Sequence, residues 1–454
     1  MKAKDMTTGN PFKLIILFAL PLMVGNIFQQ LYVVVDTMVV GQVLGVQALA
    51  AVGAADWTNW MMLGIIQGFT QGFSIRISQN FGAGNTKQLK KDVAASAVLS
   101  VAMAAVLLIG GLLGVAPILK LQHTPTEVLP HSLLYLRILF AGIPIVMAYN
   151  LLSALLRALG DGKTPLYAIL IACAINIVLD ILFVWGFGFG IAGAAGATLI
   201  AQLCSAIFCL YAVSRLPLLK PAREDFKPDT ELYGKLMWLG TPMAFMNAII
   251  AVGGMIVQSV VNSFGVMFIA GITATNKLYG LLEIAATSYG YAMVTYTGQN
   301  LGAGKPERIK KGVRAALIAA ILTSAVISVS MLFFGKPILK LFITGTPEEI
   351  EAAMYIAYRY LGVMSVFLFI LYVLHIVRSA IQGLGDTVLP MISGFAEFFV
   401  RTGAALMLPR LFGQESIYFT EASAWIGADI ILIISYFVRM RQLNRRFKEI
   451  NSIT

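Results

Sequence analysis

The sequence predicts an all-α integral membrane protein, with twelve transmembrane helices in two six-helix bundles of parallel topology around a central cavity. Three observations carry this: an apolar composition, twelve long apolar runs and an internal repeat. Of 454 residues, 58% are hydrophobic and 12% charged, and the mean hydropathy is +0.82. Soluble domains carry roughly 25% charged residues. Half that fraction cannot cover a soluble body of this size. The composition therefore excludes a cytosolic enzyme, a nucleic-acid-binding domain and a disordered chain.

A helix needs about 20 apolar residues to cross the hydrocarbon core. Such runs occupy 14–40, 48–75, 93–116, 131–156, 165–185, 190–213, 235–261, 266–297, 312–334, 352–377, 388–409 and 418–438. Several exceed the required length, which predicts tilt or kinks. An even number of spans returns both termini to one side. The termini and connections on that side, Arg378 among them, hold 25 of the 33 Lys and Arg residues. The positive-inside rule then places both termini in the cytoplasm of a multi-pass cell-membrane protein. The net charge of +11 is thus topological and calls for no nucleic-acid partner. Trp57, Trp60, Trp185 and Trp425 are expected near the outer interface, and Trp238 near the inner one.

The two halves repeat. Gln79-Asn-Phe-Gly-Ala-Gly84 returns as Gln299-Asn-Leu-Gly-Ala-Gly304, and Pro117-Ile-Leu-Lys-Leu121 returns unchanged as Pro337–Leu341. Leu159-Gly-Asp161 with Pro165 returns as Leu384-Gly-Asp386 with Pro390. The expected division is a first bundle at 1–213, a proline-rich cytoplasmic linker at 214–234, a second bundle at 235–438 and a basic tail at 439–454. Six spans per copy is an even number, so the copies are parallel and related about the membrane normal. That is the organisation of a secondary transporter.

Ionisable side chains inside spans are expensive and are functional candidates by default. Asp36 is the clearest, with Tyr32 and Gln29 four and seven residues before it on the same helical face. It reads either as a carboxylate that exchanges a proton or sodium ion, or as a water-reached residue capping the outer end of the first span. Asn176 and Asp180 stand four apart on one face of the fifth span. Their oxygens suit sodium coordination and a proton relay equally. Thr198 is unremarkable by itself, since threonine hydroxyls often bond back to their own helix.

Other candidates are weaker. Glu397 and Arg401 form an i,i+4 pair of opposite sign, expected as a structural salt bridge. Glu283 has no obvious partner in the sequence; it reads as structural, or as a cavity-facing acid that attracts cations. Met61, Met62, Phe69 and Phe73 suggest an adaptable apolar wall, or packing against lipid. With Gln29, Tyr32 and Glu283 they are the candidate substrate cavity. Asp56 and Asp429 are expected to be solvated at span ends.

Cys173, Cys204 and Cys209 all lie in apolar runs and read as reduced, buried thiols. His123, His131 and His375 are too few and scattered for a metal site. Gly160–Thr164 lacks the earlier glycine of a phosphate loop, and Gly188–Gly193 fits GxGxxG without any βαβ context. No nucleotide, cofactor or enzymatic activity is expected. Energy must come from an ion gradient.

These residues carry a family resemblance over nearly the whole chain. The run Leu20-Pro-Leu-Met-Val-Gly-Asn26 leading to Asp36-Thr37, the two QNxGAG loops and the two LGD loops resemble the multidrug and toxic compound extrusion (MATE) family. Its superfamily also includes polysaccharide and lipid-linked glycan flippases. The resemblance implies an antiporter that exports small organic, cationic amphipathic compounds in exchange for protons or sodium ions, with a lipid-linked glycan or lipid flippase as the alternative. It implies a cation site at Asp36, Asn176, Asp180 and Thr198, and bending at Pro21. The second half departs from the pattern: the repeat places Val257 opposite Asp36, Arg401 opposite Asn176 and Ala405 opposite Asp180. A monomer is expected.

Overall fold

The computed structural model describes residues 4–122, 124–343 and 346–453; His123 lies outside them. The described residues form twelve long helical runs and no strand. In the first half these are α1 (Pro11–Leu44), α2 (Val46–Gly82), α3 (Thr86–Leu121), the pair α4 (Leu129–Ala141) and α5 (Ile143–Ala158), α6 (Lys163–Asp180) and α7 (Gly190–Ser214). The second half has α8 (Thr230–Asn262), α9 (Val266–Gly302), α10 (Pro306–Leu339), α11 (Pro347–Gly383), α12 (Val388–Phe412) and α13 (Thr420–Ile453). Among the described residues, nine helices are long and apolar enough to cross a membrane, or ten if α4 and α5, bent by 50°, form one span. The bend falls at Gly142, just before Pro144. A proline there removes a backbone donor and breaks the run.

The two remaining runs, α2 and α9, are 37 residues long but less apolar. They begin and end 220 residues apart. Much of their polar content is interior: Thr70 and Ser78 in α2, and Thr275, Ser288, Thr297 and Gln299 in α9, are buried. A helix enclosed by protein has less need of an apolar surface.

The repeated motifs are turn chemistry. Gly84 and Gly304, the last residues of the two QNxGAG loops, both have φ of 68°. Gly160 and Gly385 of the LGD loops have φ of 79° and 88°. Glycine adopts this left-handed conformation without a Cβ penalty. The aspartates that follow cap the next helix: Asp161 Oδ1 accepts from the amides of Lys163 and Thr164 at 3.0 Å. Asp386 Oδ1 does the same for Val388 and Leu389 at 3.1 Å.

The chain divides into two compact units, one of Met1–Asp5 and Leu20–Ala248, the other of Met6–Ala19 and Ile249–Thr454. The division differs from the boundaries expected at 214–234 and 439. α1 passes from the second unit to the first beside Pro21, and α8 passes from the first to the second after Pro242. Residues 214–234 are counted in the first unit, where short 3₁₀ turns at Pro217–Leu219 and Arg223–Phe226 pack on α3. The expected tail is the end of α13, with Arg439 bonded to Asp386 at 2.6 Å.

Within the first unit, α2 meets the start of α8 through small residues. A Cβ on Gly72 would lie 2.4 Å from the Gly240 backbone, and one on Gly68 2.4 Å from that of Ala244. This spacing of small residues lets two membrane helices approach backbone to backbone. Phe69 and Phe73 close over Gly240 from the same turns.

Candidate ion-coupling site

In the first unit, α1 carries Asp36, α6 carries Asn176 and Asp180, and α7 carries Thr198. Asp36 retains 7% exposure, Asn176 1% and Asp180 none. The Asp36 and Asp180 carboxyls lie within electrostatic reach of each other. Asn176 Nδ2 approaches the Thr198 hydroxyl at 3.5 Å. The carbonyl oxygen of Asn176, both carboxylate oxygens of Asp180 and Oδ1 of Asp36 are buried and accept no hydrogen bond from a donor among the described residues; the two carboxyls are close enough to share a proton between them. Unpaired polar atoms in an apolar interior cost free energy. Four acceptor oxygens that no donor among the described residues satisfies are chemically suited to a proton or a small cation.

Local backbone sets this arrangement. Asp180 is the last α-helical residue before a π-helical turn, Ile181–Gly186. Such turns are rare and recur at functional sites. Val40, one turn beyond Asp36, and Val184, one turn beyond Asp180, belong to the same hydrophobic cluster. The cluster ties both carboxylate-bearing helices to packed core. α1 and α6 also touch through Cys173, whose thiol lies 3.4 Å from the Phe28 carbonyl.

Tyr32 lies within electrostatic reach of both carboxylates and interacts with Gln29, which is otherwise exposed. Tyr135 of α4 is the residue that sequence reasoning missed. It is buried and lies within electrostatic reach of Asp36, Asp56, Tyr32 and Asp180. A lone tyrosine near the start of a bent span gives no periodic signal, so only the fold reveals it.

The expected cavity wall does not form as a group. Met62 is core, against Phe140 and Gly111, while Phe69 and Phe73 belong to a second core cluster with Leu232 and Leu236. Close packing on glycine backbone draws these large side chains inward. Met61 and Glu283 are half-buried. Glu283 has a partner in His375, with Nε2 at 3.4 Å. Trp425 is buried and stacks on Tyr279.

The second unit carries a network of another character. Glu397 Oε1 bonds Arg401 Nη2 at 2.8 Å, and its Oε2 bonds Arg378 Nη2 at 2.7 Å. Arg401 also bonds Glu421 at 2.8 Å. Arg378, counted above among the charges of a connection, is buried within α11, because that helix continues to Gly383. Asp429, expected at a solvated end, is buried in α13.

A family model described as MatE matches residues 21–182 and 242–406. The chain belongs to the MatE family. The matched blocks open at Pro21 and Pro242, the prolines inside α1 and α8, and the first contains Asp36, Asn176 and Asp180. Two relatives in Bacillus subtilis are described as probable multidrug resistance proteins. YpnP is 33% identical over 87% of this chain and 88% of its own length. YoeA is 30% identical over 93% and 92%. Among solved structures, a MOP superfamily transporter from Pyrococcus furiosus superposes with a TM-score of 0.92, covering 98% of this chain and 99% of that one. At 22% identity this likeness speaks for the MatE fold alone.

Proposed function

We propose that this MatE chain is a secondary active antiporter that exports small organic, cationic amphipathic compounds in exchange for protons or sodium ions. The observation that carries the proposal is the group of buried acceptor oxygens on Asp36, Asn176 and Asp180 that no donor among the described residues satisfies. A charged carboxylate deep in a membrane costs about 3 kcal/mol on insertion scales. Binding a proton or a cation removes most of that cost, so the occupied and empty sites favour different packing of α1, α6 and α7. That difference is what couples an ion to a conformational cycle. An inward-moving monovalent ion yields about 2.3 kcal/mol per 100 mV, roughly a fiftyfold concentration ratio.

Multidrug descriptions of the relatives support the substrate class. The reading requires no cofactor, no nucleotide and no catalysis, places both termini in the cytoplasm and takes the monomer as the working unit. The test uses purified protein in liposomes with a cationic dye under an imposed proton or sodium gradient. Dye movement driven by one gradient and lost in Asp36→Asn is the expected result. Full gradient-driven efflux by a correctly inserted Asp36→Asn protein would overturn the site. No movement under either gradient would turn the search to lipid-linked substrates.

A further inference from the structure

The second unit holds a buried acid that its own arginines leave over. Arg378 and Arg401 supply two positive charges, and Glu397 and Glu421 supply two negative charges bonded to them. Asp429 stands outside that balance. It retains 7% exposure, and its Oδ1 has no hydrogen-bond partner. Arg378 is equally buried, and its Nε is likewise unpartnered. Asp429 lies within electrostatic reach of Arg378 and Glu397. Of the charged groups on the helices packed together here, Arg378 of α11 and Glu397 of α12 reach it, and Arg401 of α12 and Glu421 of α13 continue the network from Glu397. His375, one turn before Arg378, reaches Glu397 electrostatically and Glu283 at 3.4 Å.

We propose that Asp429 is a second proton-carrying carboxylate, built into the second unit beside the Arg378–Glu397–Arg401 network. An extra buried negative charge in a balanced cluster is expensive unless it is neutralised. Protonation at Oδ1 neutralises it and leaves Arg378 wholly to Glu397. Loss of that proton to water creates a carboxylate that the idle Nε of Arg378 can answer. The two states differ in which acid the guanidinium serves, and so in how α11, α12 and α13 are held together. A sodium ion fits this position poorly, because hard cations take several oxygen ligands and a guanidinium stands close by. The proposal extends the antiporter reading but rests on different residues in a different unit.

The test is infrared difference spectroscopy of the purified full-length protein, following the carbonyl band of protonated carboxylic acids through neutral pH. The background is the Asp36→Asn/Asp180→Asn double variant, which removes the acids of the first unit. The expected result is a titrating band that persists in the double variant and disappears when Asp429→Asn is added. Asp429→Glu in the same background should keep the band at a displaced frequency, which assigns it even if the asparagine variant fails to fold. A double variant with no titrating band, or a band indifferent to both changes at Asp429, would overturn the proposal. Neither outcome bears on Asp36 and Asp180, which the gradient-driven transport assay judges separately.

Discussion

The two units answer the same difficulty, acids inside a membrane protein, in opposite ways. In the first, Asp36 and Asp180 share an interior with an asparagine, a threonine and two tyrosines, and among the described residues no lysine or arginine is bonded to either. In the second, Glu397 is gripped from both sides by arginines, one of which holds Glu421 as well. The repeat makes the contrast sharp, since Arg401 occupies the register of Asn176 and Ala405 that of Asp180. One copy leaves its acids without a basic side chain bonded to them. The other carries its cations covalently. Duplication thus gives one centre without arginines and one held by arginines from the same scaffold.

The largest effects test this contrast directly. Glu397→Gln leaves two buried guanidiniums with too few anions, and breaking such a pair costs about 3–5 kcal/mol. Asp180→Asn removes a charge that no arginine or lysine holds, so stability should change by no more than about 1 kcal/mol while gradient-driven export is abolished. Thermal unfolding in detergent and dye transport in liposomes read the two quantities. Equal destabilisation by both substitutions, or export that survives Asp180→Asn, would break the distinction between the units.

A second comparison concerns packing. Gly72 of α2 meets the backbone of α8, whereas the repeat-equivalent position in α9 is Ala292, which is buried and already accommodates a methyl group. Gly72→Ala should therefore destabilise by about 1–3 kcal/mol, the usual range for overpacking. Ala292→Gly should cost only about 1 kcal/mol, as glycine does inside a helix. Thermal unfolding of the two variants measures both. A tolerated Gly72→Ala would mean that α2 and α8 are not held at backbone distance.

Much of this was legible in the sequence, and the misses share a cause. The spans, the paired loops and the helical face holding Asn176 and Asp180 follow from periodicity and repetition, which are local or self-similar signals. Tyr135, His375 and Arg378 are not reachable that way. Each matters through a partner on another helix: Asp36, Glu283 and Glu397, respectively. Arg378 was misplaced because a basic residue at the end of an apolar run resembles a connection, until α11 is seen to continue beyond it. Phe69 and Phe73 resembled a binding wall because aromatic stripes look alike in core and cavity. The glycine at 240 decides between them, and it lies in a different helix.

The smallest expected difference lies in the paired LGD loops, where sequence identity conceals unequal surroundings. Loss of a helix-capping aspartate costs about 1 kcal/mol, and both Asp161 and Asp386 cap in the same way. Their second oxygens diverge. Asp161 Oδ2 accepts from the buried Thr164 hydroxyl at 2.5 Å, while Asp386 Oδ2 pairs with the half-buried Arg439. Removing Asp161 strands a buried hydroxyl, which adds about 1 kcal/mol. Removing Asp386 frees a guanidinium that water still reaches, whose ion pair is worth about 0.5 kcal/mol. Asp161→Ala should therefore be the more destabilising of the two by about 0.5 kcal/mol, as judged by unfolding midpoints. The reverse order would show that the Asp386–Arg439 pair anchors the end of α13, making this basic helix end part of the fold of the second unit.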